Sequence, residues 1–158
     1  MGMMMANVLS RQLIEILVDY NGFSLQEDDD GEVPIVYPEG RAELGAAFLV
    51  AHRLRVDVES AGHTHWAPLT VEVWDGEPPI DDSQAWEEKS EVTLFSTSGQ
   101  LAVWVFAGPE EERIDLGRAQ TTWNLRMYSA GRGEVARLAE LEVPEGVERY
   151  LAHFWEAT

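Results

Sequence analysis

The sequence contains no cysteine, a single lysine and no uninterrupted apolar run of membrane-spanning length. The first absence removes disulfides, thiolate nucleophiles and cysteine-ligated metal or cluster sites, and fits a reducing compartment. The last matters because a helix crossing a bilayer needs about 18 or more consecutive apolar residues. The opening Met1-Gly2-Met3-Met4-Met5 is followed by Asn7, Ser10, Arg11 and Gln12, which leaves no apolar segment of signal-peptide length. A soluble, cytoplasmic protein is expected, with residues 1–7 lying outside the folded domain as disordered or added chain.

Positive charge is scarce as well. Lys89 is one of only 11 bases set against 29 acids, giving a formal net charge of −18 at 158 residues. Binding a phosphate backbone depends on clustered Lys and Arg that release counterions, so direct nucleic-acid binding is not expected. Both halves of the chain are acidic, so the surplus belongs to the body of the protein and not to a tail. Such a field keeps a protein soluble and accelerates its encounter with a basic partner.

What the chain does contain is period-two alternation. Leu54, Val56 and Val58 alternate with Arg53, Arg55, Asp57 and Glu59 between His52 and Glu59, the pattern of a half-buried strand. Leu69, Val71 and Val73 alternate with Thr70, Glu72 and Trp74, and Val92 and Leu94 with Glu91, Thr93 and Phe95. Thr97-Ser98-Gly99-Gln100 then supplies turn chemistry into Leu101–Phe106, which predicts a hairpin. Trp123, Leu125 and Met127 make a further strand ending at Gly131-Arg132-Gly133. Arg149–Trp155 makes the last, apolar on both faces.

Residues 9–20 satisfy a helical spacing through Leu9, Leu13, Ile16, Leu17 and Tyr20 and a strand spacing through Ile14, Ile16, Val18 and Tyr20. A strand is favoured, with a bulge or bend at Asn21-Gly22 before Phe23 and Leu25. Residues 40–51 are left open between helix and strand. Turn-rich connections are expected at 27–32, 76–82 and 107–112, where Pro78-Pro79 and Pro109 interrupt pairing because proline lacks an amide hydrogen. The result is one all-β domain over 1–158, a two-layer antiparallel β-sandwich of about 7–8 strands with room for one short helix.

No constellation in the sequence makes a catalytic site. His63-Thr64-His65 places two imidazoles close together, but a turn with solvated histidines accounts for it more simply than a metal site does. Carboxylate pairs such as Asp81-Asp82 and Glu87-Glu88 lie in polar segments, where water solvates both members and nothing separates their pKa values. Asp28-Asp29-Asp30 lacks the alternating ligands of a calcium loop. There is no nucleophile elbow and no phosphate-binding loop, so no cofactor is implied. Six tryptophans are mostly expected in the core. Trp74 and Trp155 are out of phase with their aliphatic neighbours and are candidates for exposed interface anchors.

The order of these strands resembles that of the competence protein J family, inhibitors of a DNA-entry nuclease, and of related small actinobacterial proteins. The likeness rests on Val18-Asp19-Tyr20 through Phe23, on Leu69–Trp74 ending before Pro78-Pro79, on Trp86 ahead of a paired strand, and on the closing segment Val147–Trp155. It implies a β-sandwich that binds and blocks a secreted or toxin-like nuclease, in the manner of an immunity protein. Charge density alone selects the partner-binding candidates: Asp28, Asp29, Asp30, Glu110, Glu111 and Glu112, with Trp74 and Trp155 as apolar anchors. Two alternatives stand beside this expectation. One is a generic assembly module whose acidity serves only solubility; the other is a small-ligand protein or enzyme with a pocket in the sandwich.

Overall fold

The computed structural model describes residues 5–29, 31–34 and 47–158. In chain order the described elements are β1 (Val8–Val18), β2 (Gly22–Glu27), β3 (Leu49–His52), β4 (Arg55–Glu59), β5 (His65–Trp74), β6 (Glu88–Ser96), β7 (Gln100–Val105), β8 (Gly108–Asp115), β9 (Thr121–Ala130), α1 (Arg132–Leu138) and β10 (Arg149–Glu156). The strands form two five-stranded sheets, ordered β1-β5-β10-β9-β6 and β3-β4-β2-β7-β8. The expected count of 7–8 strands is therefore too low, with ten strands among the described residues. The sheets are also not wholly antiparallel, because β10 runs parallel to β5.

The alternation places the core between the sheets. Ile14, Ile16 and Val18 of β1, Leu69, Val71 and Val73 of β5 and Leu125 and Met127 of β9 face Phe23, Leu25, Val56, Val58, Leu101 and Val103 of the second sheet. Each such side chain contributes about 1.5–3 kcal/mol by leaving water. In β1 the strand spacing wins over the helical one: its inward set is buried, while Leu9 and Leu13 stay exposed.

Two connections pass between sheets where the sequence suggested a bulge or bend in a continuing strand, at Asn21-Gly22, and a hairpin, at Thr97–Gln100. The reversal Asp19-Tyr20-Asn21-Gly22 has positive φ at both central residues, 50° and 59°, and carries the chain from the first sheet to the second. The turn at Thr97–Gly99 does the same, so β6 and β7 are not the hairpin partners expected of them. Gly99 has φ +82°, and a Cβ there would press on the carbonyl of Arg118. Its turn is held by Glu27, whose carboxylate accepts from the hydroxyls of Ser96 (2.5 Å) and Ser98 (2.6 Å). Burial works against the Glu27 charge, but these hydroxyls and the amides of Asp29 and Ser98 outweigh it and hold the carboxyl below its usual range.

Two further expectations are corrected. The run His52–Glu59 is split by a tight turn at Arg53-Leu54, with Leu54 at φ 62°. The segment 107–112 is largely strand β8 and not a connection. Of residues 40–51, only 47–51 fall among the described residues, and Leu49–Ala51 are strand. The short helix lies instead at Arg132–Leu138, directly after Gly131, whose missing Cβ lets the Val147 backbone approach. Asn7, expected outside the domain, exchanges hydrogen bonds with Asp75. Among the described residues no helix is long and apolar enough to cross a membrane.

The segment 75–87 packs over the outer face of the first sheet and explains why β10 is buried on both sides. Arg126, 1% exposed, donates to the Pro78 carbonyl (3.0 Å), Glu77 (3.1 Å) and Glu91 (2.9 Å) and lies over the Trp155 ring. Tyr128 accepts from the Asp81 amide and packs against Trp86, whose indole donates to Asp81 at 2.8 Å. Of the six tryptophans only Trp123 and Trp155 are buried, which corrects the expectation that most are core.

Candidate functional site

Two groups of the acidic candidates lie on or directly after the strands that flank β7, β2 and β8, and are linked through Arg113. Asp28 and Asp29 follow β2 and are exposed. Across β7, Ala102 pairs with Arg113 and Trp104 with Pro109, so Val103 alone stands opposite Glu110, Glu111 and Glu112. The three glutamates therefore form a bulge in an edge strand. Arg113 ties the two groups together, donating to Asp28 Oδ1 at 2.7 Å and to the Glu110 carbonyl. Asp30 lies outside the described residues.

The tryptophan candidates are not part of this corner. Trp74 and Trp155 belong to the other sheet. Trp74 is half-buried, its indole donating to Glu72 at 3.1 Å. Trp155 is 6% exposed, so the expectation of an exposed anchor fails there: the phase was right, but the covering segment and Arg126 had no signature in the alternation of β10.

A concavity of about 440 Å³ opens on the outer face of the second sheet beside the acidic corner. Register builds it. Asp57 of β4, Ser24 of β2 and Trp104 of β7 lie side by side across three strands, as do Arg55, Gln26 and Ala102. Gly22 and the small side chain of Ser24 leave a depression, walled by Trp104 and Phe106 on one side and by Val33 and Pro34 of the 31–34 segment. Tyr20 reaches the rim, its ring 4.5 Å from that of Phe106. The sequence reading missed these aromatics, although Trp104 and Phe106 are out of phase with the inward series Leu101, Val103 and Val105.

A second cluster has the residue types of an acyl-transfer site. Ser60 Oγ is 2.7 Å from His65 Nε2 and donates to Glu148 Oε1 at 2.6 Å. Glu148 also accepts from the Ala61 amide, from Arg132 and from the Tyr150 hydroxyl. The Ser60 hydroxyl is enclosed between the Glu148 carboxylate, His65 Nε2 and the Gly62 carbonyl (3.2 Å), so it is held within the cluster and does not face solvent. Ser60, His65 and Glu148 are all at most 2% exposed. Burial, only partly opposed by Glu148, keeps His65 below the ordinary histidine range, and burial together with Glu148 pushes the Tyr150 phenol well up. The cluster ties β4, β5, α1 and β10 together and offers no group to a substrate.

His63 and His65 part company: His63 is exposed beside Tyr20 and Asp19, whereas His65 points inward. Among the described residues no three His, Asp or Glu side chains gather as a metal-ligand set.

No protein-family model matches the sequence, and no curated protein matches it. Two solved structures do match in three dimensions. ComJ from Bacillus subtilis, an inhibitor of the DNA-degrading activity of NucA, superposes with a TM-score of 0.64 at 14% identity, covering 98% of this chain and 100% of ComJ. The protein of crocagin biosynthetic gene J gives 0.61 at 11% identity, covering 95% and 100%. At these identities the likeness is one of fold, and in fold the resemblance to the competence protein J family holds along nearly the whole chain.

Proposed function

We propose that this chain is a protein-binding domain that blocks a basic, DNA-degrading nuclease, using the acidic corner of its second sheet. The observation that supports the reading is that Arg113 links Asp28 to the Glu110–Glu112 bulge of the edge strand, on a fold like that of a nuclease inhibitor. A groove that attracts phosphates presents Lys and Arg at intervals, and carboxylates on a rigid corner are able to occupy it in place of the backbone. The net charge of −18 adds long-range steering toward such a partner.

The test is a DNA-cleavage assay with a basic, NucA-type DNA-degrading nuclease, run with and without stoichiometric protein. Inhibition is expected, together with an association rate that falls about tenfold or more between about 0.05 M and about 0.5 M salt. Glu110→Gln, Glu111→Gln and Glu112→Gln combined should slow association at low salt while leaving dissociation little changed. Undiminished cleavage at saturating protein overturns the reading.

A second reading, an assembly module joined by strand addition, is favoured by one feature. β1 is an edge strand that pairs only with β5 among the described residues, and it exposes Leu9 and Leu13 on its outer face.

A further inference from the structure

We infer that the concavity walled by Trp104, Phe106 and Tyr20 receives a guanidinium group, an arginine side chain presented by a protein partner. This rests on the protein-binding reading above and names the chemistry by which that partner is held.

Three features of the pocket lead there. The first is its aromatic wall. Trp104 is 39%, Tyr20 48% and Phe106 62% exposed, and all three meet at one mouth. Exposed aromatic faces side by side attract planar cations through the ring quadrupole. Tyr20 sits in the left-handed region with φ 50°, where glycine or asparagine is at ease and a bulky side chain is strained. Its ring packs against Phe106 and His63 at the mouth, with centroids 4.5 and 4.9 Å apart.

The second feature is the floor, which is built to accept hydrogen bonds. Gln26 and Ser24 are buried to 9% and 4% exposure, and Gln26 commits its Nε2 to Ser24 Oγ at 3.0 Å. Its carbonyl oxygen is then the group available to a ligand. Asp57 gives Oδ1 to Arg55 at 2.7 Å, while Oδ2 lies 3.2 Å from His52 Nε2 without an aligned hydrogen bond.

The third feature is charge. Among the described residues the acidic and basic groups around the pocket are Asp19, Arg55 and Asp57, with His52 behind Asp57 and His63 beyond Tyr20. Arg55 is committed to Asp57 and to the Pro34 carbonyl, so that pair cancels and, among the described residues, Asp19 is the charge left at the mouth. A neutral aromatic ligand would use the wall but not the acceptors or the charge. An ammonium would use the charge but has no flat face to stack. A guanidinium uses all three, with several N–H donors in one plane.

Binding is read from the Trp104 indole N–H resonance in 15N-labelled protein, assigned through Trp104→Phe and titrated with N-acetyl-arginine amide, its citrulline isostere and N-acetyl-lysine amide. The arginine compound is expected to shift the Trp104 signal saturably, with citrulline and lysine at least about tenfold weaker because each lacks either the charge or the plane. Phe106→Ser, at an exposed position, should abolish that preference without changing the thermal midpoint. Equal shifts from arginine and citrulline, or none from any probe, overturn the pocket assignment. In the nuclease assay, Trp104→Ala and Phe106→Ser should weaken inhibition about tenfold or more. Unchanged inhibition by both overturns the assignment to a partner's arginine. Should the nuclease not be inhibited at all while arginine amide still binds selectively, the nuclease reading falls and the guanidinium pocket stands.

Discussion

At the scale of single residues, Glu148 shows how position changes the meaning of a carboxylate in a chain with so many. Most of the 29 acids are solvated, but Glu148 is fully buried and collects hydrogen bonds from Ser60, Ala61, Arg132 and Tyr150. Its charge is balanced chiefly by Arg132, which also donates to Glu59 at 2.7 Å and lies over the Phe48 ring. Removing one partner of a buried ion pair leaves the other charge uncompensated. Glu148→Gln is thus expected to cost about 3–5 kcal/mol. Ser60→Ala removes a neutral hydroxyl and leaves His65 Nε2 without that partner, and should cost about 1–3 kcal/mol. Urea unfolding of the two variants measures both. A Glu148→Gln midpoint close to that of the unaltered protein would mean the cluster is not the strut described here. The role of Glu148 could not be read from the sequence, because nothing in Val147-Glu148-Arg149 distinguishes it from a surface acid. Its burial comes from Ser60 and His65, more than 80 positions away.

At the scale of elements, strands were legible wherever one face meets the core and the other meets water. β1 and β4 follow that rule, whereas β9 alternates in sequence although Arg126 and Tyr128 on its outer face are covered. What the alternation could not convey is which sheet a strand joins, since a turn between sheets and a hairpin turn use the same residue types; β6 and β7 were misjudged for that reason. β8 was hidden because Pro109 and three glutamates depress strand propensity, and the bulge takes them out of the ladder. That bulge also guards an open edge, since charge and irregular backbone both discourage pairing with another chain. Nearer its end the same edge is closed by Gln12 of β1, whose amide donates to the Arg113 carbonyl at 2.9 Å and accepts from the Asp115 amide at 2.9 Å. One side chain thereby imitates a neighbouring strand and locks the two sheets at a corner. Gln12→Ala is expected to lower stability by about 1–3 kcal/mol and to speed amide exchange at Asp115 selectively. Exchange at Asp115 unchanged relative to Ile114 would show that the contact does not hold the edge.

At the scale of the whole molecule, stability against pH is a contest between self-repulsion and buried histidines. The surplus charge of −18 disfavours the compact state, but carboxylates titrate near pH 4, so little repulsion is relieved until the pH falls below about 5. Above that the histidines decide. His153 is buried against Glu72 (2.9 Å) with the rings of Trp74 and Tyr128 beside it, and burial holds it below its ordinary range despite Glu72 and Asp81. His65 is lowered in the same way. With folded values depressed, the unfolded chain binds protons first. The stabilisation is complete above the ordinary histidine value of about 6.5 and is lost as the pH falls toward the folded values. Each histidine adds at most about 1.4 kcal/mol per pH unit, so the pair bounds the slope at about 2.7 kcal/mol per unit. Urea unfolding between about pH 5.5 and about 7.5 should therefore show stability rising with pH, and His153→Asn should reduce the slope by about half. Added salt should raise stability throughout this window by screening the surplus charge while leaving the slope, which belongs to buried groups, nearly unchanged. A flat profile in this range would mean that both imidazoles titrate as they do in the unfolded chain, and that neither the enclosure of His153 beneath the covering segment nor that of His65 against Ser60 and Glu148 is maintained in solution.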